Sequence, residues 1–148
     1  MNQEKYDLSI EEDCHMFRFI SEGPQGRIQK VIAFKPIPGV EGCFYNLSFG
    51  DWDELTQSLD DSVVTNNLDT IKVLATVAQA VDSFFLVKPE AVIFASGSSS
   101  ARNRLYQMNI QKYLPEIKKR FFIRGRRNKK WQPFKKGVNY DAFTLFRK

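Results

Sequence analysis

The sequence predicts an α+β fold, a mixed and mostly antiparallel sheet with two main helices packed on it. Three observations lead there. Short segments of alternating polar and apolar residues fill the first third of the chain. The hydrophobic period then lengthens to that of a helix over residues 69–86, and a strand, a helix and two closing strands complete the order.

The first strand is read from the alternation of Phe17 to Ser21, and Gly23-Pro24-Gln25-Gly26 marks the turn after it. Ile28 to Ile37 sets Ile28, Lys30, Ile32 and Phe34 on one face and ends at Pro36 and Pro38. Cys43 to Phe49 is the third strand, Gly50 to Leu55 a turn, and Ser62 to Thr65 a short fourth strand, so that these pieces form a meander.

From Asp69 to Leu86 the residues Ile71, Leu74, Ala75, Ala78, Val81 and Phe85 share a helical face, widened by Val73, Val77 and Phe84. Lys72, Thr76, Gln79 and Ser83 form one narrow polar stripe, the pattern of a helix largely buried on a sheet. Thr65, Asn66 or Asn67 is expected to cap it, with Asp69 in the first turn favoured by the helix dipole. After Pro89, Ala91 to Ala95 is a short apolar strand for the sheet centre. Ser96 to Ser100 leads into a second helix, Ala101 to about Leu114, which Pro115 kinks or restarts. Ala101, Leu105, Met108 and the stem of Lys112 are expected to face inward, with Arg102, Tyr106, Asn109 and Tyr113 as a second stripe. Phe121 to Arg124 and Tyr140 to Phe146 are the closing strands, joined by a basic segment containing Trp131 and Phe134.

With 148 residues, 43 % of them hydrophobic, the chain suits a single domain, 1–148, in which residues 1–16 are loosely held and 118–148 form a basic closing hairpin. Residues 1 to 6 lack the apolar core of a signal peptide, and no apolar run approaches the roughly 18 residues of a membrane span. A cytoplasmic protein with no membrane partner is expected. Cys14 and Cys43 are therefore not expected to be bridged, and His15, the single histidine, leaves no zinc set and argues against nucleophile chemistry that needs a histidine base.

The net charge of +5 divides unevenly. Residues 1–111 carry nine basic and fifteen acidic side chains, net −6, whereas residues 112–148 carry thirteen basic and two acidic ones, net +11. Such a split points to RNA or another polyanion as partner, against the alternative of a solvated basic rim. Arg124, Arg126, Arg127, Lys129, Lys130 and Trp131 are the candidate nucleic-acid contacts, cations for phosphates and a ring for unpaired bases. Single strands are favoured over duplex, because no helix-turn-helix pattern is present.

Ser96, Gly97, Ser98, Ser99 and Ser100 lie between a strand and a helix, where hydroxyls and free amides can meet an anion, with Arg102 and Arg104 beside them. An ordinary serine cap is the alternative. The amides around Asn66 and Asn67 are a second candidate, which Asp69 would oppose. Asp51, Asp53 and Asp61 are the residues that a metal-dependent nuclease would use, yet their spacing matches no ligand loop, and no metal is assigned.

Phe49 to Glu54, Val64 to Val77 and Gly97 to Met108 together resemble a short uncharacterised bacterial protein family, a domain of unknown function, over residues of about 45–148. That resemblance implies no activity. The element order is also similar to the core of the GNAT N-acetyltransferases. There, Ala101 to Tyr106 resembles part of the last main helix and Val138 to Lys148 the final strand. That likeness implies acetyl-CoA as cofactor, Tyr106 as general acid toward the leaving thiolate, and residues 65–69 at the pyrophosphate. Three functions follow as expectations: a binder of a phosphate-bearing partner, an acyltransferase, and a protein-interaction module of the toxin–antitoxin kind.

Overall fold

The computed structural model describes residues 4–11, 15–39, 42–60, 67–96 and 100–148, the side chains of residues 100–102 and 105 excepted. Among the described residues there are nine strands and three helices. The strands are β1 (Ser9–Glu11), β2 (Met16–Gly23), β3 (Gly26–Pro36), β4 (Phe44–Asp53), β5 (Ser58–Asp60), β6 (Val92–Ala95), β7 (Phe121–Arg127), β8 (Lys130–Pro133) and β9 (Ala142–Arg147). The helices are α1 (Thr70–Val87), α2 (Ser100–Lys112) and α3 (Leu114–Arg120). Hydrogen bonding links the strands in the order β1-β2-β3-β4-β6-β9-β7-β8, with β5 on β4. The fold is α+β, the sheet mixed and mostly antiparallel, as its sequence predicts; the parallel pair is β4 with β6. The chain gathers into two compact units, residues 1–35 with 48–89, and residues 36–47 with 90–148.

In the first unit Phe17 and Phe34 on adjacent strands turn toward α1, where Phe34 stacks on Phe84 at 4.2 Å. The buried side of α1 runs through Val73, Ala75, Thr76, Val77, Ala80, Phe84 and Phe85. It includes Val73, Ala75, Val77, Phe84 and Phe85 as expected, takes in Thr76 from the polar stripe, and leaves Ile71 exposed. Thr76 tolerates full burial because its hydroxyl donates to the carbonyl of Lys72 (2.7 Å) and accepts the backbone N–H of Tyr6 (2.9 Å). At 18 residues and a mean hydropathy of 1.5, α1 is long and apolar enough to cross a membrane, contrary to the sequence reading that no apolar run approaches that length. Its packing against Phe34 is that of a core helix.

Two boundaries shift. The segment Gly50 to Asp53, expected as a turn, continues β4, and the reversal occupies residues 54–57. Asp53 makes that reversal by accepting the backbone N–H of Leu55 at 2.9 Å, and Gln57 takes a positive φ of 52°. The N-cap of α1 is Asp69 itself, without a side-chain cap bond. Ser62 to Thr65, expected as a strand and cap, lies outside the described residues.

The second unit packs α2 and α3 on the sheet face that carries Ile123 and Phe143, around a cluster of Leu114, Ile123, Phe134, Tyr140 and Phe143. Pro115 restarts the helix, since a ring without an N–H is tolerated in a first turn. Among the described side chains of α2, Tyr106, Gln107 and Ile110 face inward, whereas Met108, expected inside, is exposed; those of Ala101 and Leu105, also expected inside, lie outside the described ones. Gln107 reverses the expectation because its amide donates to the carbonyl of Val138 and accepts the N–H of Tyr140, which satisfies it in the interior.

Candidate functional site

The basic segment is a hairpin, built on β7. Along β7 the side chains of Phe121 and Ile123, with Gly125, lie on the buried side, so Phe122, Arg124 and Arg126 fall on the opposite face. The hairpin turn is Asn128-Lys129, both at positive φ (53° and 63°), the primed geometry that matches the twist of two paired strands. It returns into β8 with Trp131 opposite Arg126 and Pro133 opposite Arg124.

Register across the second unit extends this outer face. Phe122 lies opposite Phe146, which lies opposite Val92, which is level with Phe44. In the next row Arg124 lies opposite Thr144, which lies opposite Phe94. Trp131 crosses β7 and β9 to meet Phe94 edge-on at 5.6 Å, and Phe94 stacks against Phe44 at 6.1 Å. Phe122 and Phe146 form a second pair at 5.2 Å, with the ammonium of Lys148 5.3 Å from the Phe122 ring. Trp131 remains 39 % exposed and Phe122 46 %. Arg126 is held by Asp141 at 2.8 Å, while Arg124, Arg127, Lys129 and Lys130 are exposed. One face therefore presents Trp131 and Phe122 exposed and Phe44, Phe94 and Phe146 partly buried, with Arg124, Arg126 and Lys148 beside them. By the same alternation Arg127 and Lys130 fall on the other side of the hairpin.

Of the residues that the sequence singles out for nucleic-acid contact, Arg124, Arg126 and Trp131 are brought to this face, with Arg127, Lys129 and Lys130 at the hairpin tip. Tyr106 is elsewhere. It packs, half-buried, against the Leu114–Phe143 cluster on the opposite side of the same sheet. Ser96 is exposed at the end of β6 and Arg104 is exposed on α2; Gly97, Ser98 and Ser99 lie outside the described residues, as do the side chains of Ser100 and Arg102. Phe44, Phe94, Phe122 and Phe146 are the ring positions that local sequence reading missed; the signal for Phe122 was the alternation Phe121 to Arg126.

In the first unit, Asn67 is buried and its amide is spent on the β2–β3 turn. Its Oδ1 accepts the N–H of Gln25 at 2.7 Å, and its Nδ2 donates to the carbonyl of Gly26 at 2.8 Å and to Ser21 Oγ at 3.2 Å. Asn66 lies outside the described residues. Asp69 Oδ2 accepts the hydroxyls of Ser21 and Tyr6, each at 2.6 Å. Burial, and then the Asp69 acceptor, raise the pKa of the Tyr6 phenol. Asp51 faces the ammonium of Lys30, which is 1 % exposed, at 2.5 Å, and Asp53 serves the turn. Among the described residues no group of three or more His, Cys, Asp or Glu side chains is placed to hold a metal ion, and Asp61 lies outside them.

No curated protein and no solved structure matches the chain. A family model does match, over residues 2–148, and the chain accordingly belongs to DUF6934, a family of unknown function.

Proposed function

We propose that the outer face of the second unit binds a phosphate-bearing polymer. The observation that carries this reading is the convergence of Arg124, Arg126 and Trp131 on one side of the β7–β8 hairpin, in the quarter of the chain whose charge is +11. Cations gathered on one face attract a polyanion from solution and release its counterions on contact, whereas a basic rim serving solubility needs no shared face. The test is fluorescence anisotropy of a labelled single-stranded RNA across a salt series. Affinity is expected to fall steeply as salt rises. The variant Arg124→Gln/Arg126→Gln/Lys129→Gln should bind about tenfold more weakly, with a salt slope shallower by about 2, at roughly 0.7 per phosphate contact. Affinity indifferent to salt, or a triple variant that binds like the parent, overturns the reading.

An acyltransferase is the second reading, and one observation favours it. The parallel strands β4 and β6 pair only over Phe44–Leu47 and Val92–Ala95, with α1 in the connection between them. This order resembles the GNAT core. The residues that resemblance would use are otherwise occupied: Tyr106 packs on an apolar cluster, and Asp69 would set a carboxylate against a pyrophosphate. A thermal shift with millimolar acetyl-CoA is the check, since a ligand of the native state raises its melting temperature. No shift removes this reading.

A further inference from the structure

Resting on the polyanion reading, we infer that the polymer is a single-stranded nucleic acid whose unpaired bases stack on the row Trp131, Phe94 and Phe44. Phosphate contacts need cations alone. A duplex keeps its base faces inside, so a protein that grips only its backbone has no use for an exposed Trp131 continued by partly buried rings on the same face. Here rings and cations share the face. Arg126 is the strand partner of Trp131, and Arg124 lies in the row that leads through Thr144 to Phe94.

The three rings also succeed one another across the sheet, at centroid separations of 5.6 and 6.1 Å, rather than clustering around one point. That progression suits successive bases laid along the face, with Arg124 and the Asp141-paired Arg126, both on β7 between the strands of Trp131 and Phe94, beside the phosphates. Stacking of this kind tolerates any base, because every base has a π-face. The hairpin is less suited to entering a duplex groove as a ribbon, since Trp131 lies back across β7 and β9 onto Phe94.

The experiment uses the full chain with Trp52→Phe, which leaves Trp131 as the one tryptophan. It is titrated with a single-stranded RNA, with the duplex of the same sequence, and with inorganic polyphosphate of matched charge. Single strands should quench Trp131 fluorescence, and duplex and polyphosphate should leave it unchanged. Phe94→Ala should weaken single-strand binding about tenfold or more and change polyphosphate binding less than about twofold. Because the quenching needs no substitution at the site, it decides the matter even if Phe94→Ala fails to fold. Duplex or polyphosphate binding as tight as single-strand binding, without quenching, overturns the stacking inference and leaves the polyanion reading standing. Loss of binding to all three polymers overturns both.

Discussion

The ring of Tyr140 lies directly on the backbone of Gly125, so closely that a Cβ at position 125 would collide with three of its ring carbons. The contact locks the base of the basic hairpin to the core, because the Tyr140 hydroxyl also accepts the N–H of Lys135 at 3.0 Å and its backbone N–H reaches Gln107 at 3.0 Å. Gly125→Ala is therefore expected to destabilise the protein by about 1–3 kcal/mol, the cost of overpacking a filled interior. Urea denaturation measures it. An unchanged midpoint would mean that the ring moves aside freely.

Lys129 stands at φ 63° in the hairpin turn, a conformation in which a side chain is strained and glycine is not. Lys129→Gly should raise stability by about 0.5–1 kcal/mol, the relief exceeding the added freedom of the unfolded chain. It should at the same time weaken RNA binding and reduce the salt slope by about 0.7, as expected for one lost phosphate contact. A variant that gains stability and binds RNA unchanged would take Lys129 out of the interface.

Much of this architecture is legible in the sequence. Strand periods, the helix at 70–87 and the restart at Pro115 are local properties, written in residues a few positions apart. The alternation that sends Arg124 and Arg126 outward is equally local. What local pattern does not carry is which distant residues become neighbours. Phe44, Phe94 and Trp131 lie far apart in the chain, and pairing across β4, β6, β9, β7 and β8 alone sets them in a row. Asn67 shows the same limit. Its type and place before a helix suggest a cap, but Ser21 of β2 together with Gln25 and Gly26 at the β2–β3 turn offers its amide three partners at once.

Lys30 is a charged residue at the centre of an apolar strand, and its ammonium faces Asp51 inside the first unit. Removing the carboxylate takes the Asp51 partner, at 2.5 Å, away from a buried ammonium, so Asp51→Ala should cost about 3 kcal/mol. Replacing both groups, Lys30→Met with Asp51→Leu, should cost less than Asp51→Ala alone, because the buried ammonium is removed together with its carboxylate. Chemical denaturation of the two variants side by side decides this. A double variant less stable than the single one would show that the ion pair contributes more than its desolvation costs.

Tyr6 ties the segment before β1 to the start of α1 through Asp69, and Lys72 lies over its ring at 4.2 Å. The phenol pKa is raised above its ordinary value near 10, first by burial and then by the Asp69 acceptor. The folded state thus holds this proton more tightly than the unfolded one. Its contribution is present in full below about pH 10 and is lost as pH rises from there through the raised value. Tyr6→Phe should cost about 1 kcal/mol at neutral pH, the net worth of the missing hydrogen bond. Stability curves of parent and variant should then converge above about pH 10, as the parent's phenol ionises beside a carboxylate. Curves that keep a constant offset from pH 7 to about pH 11 would show that the Tyr6–Asp69 bond is not linked to this proton.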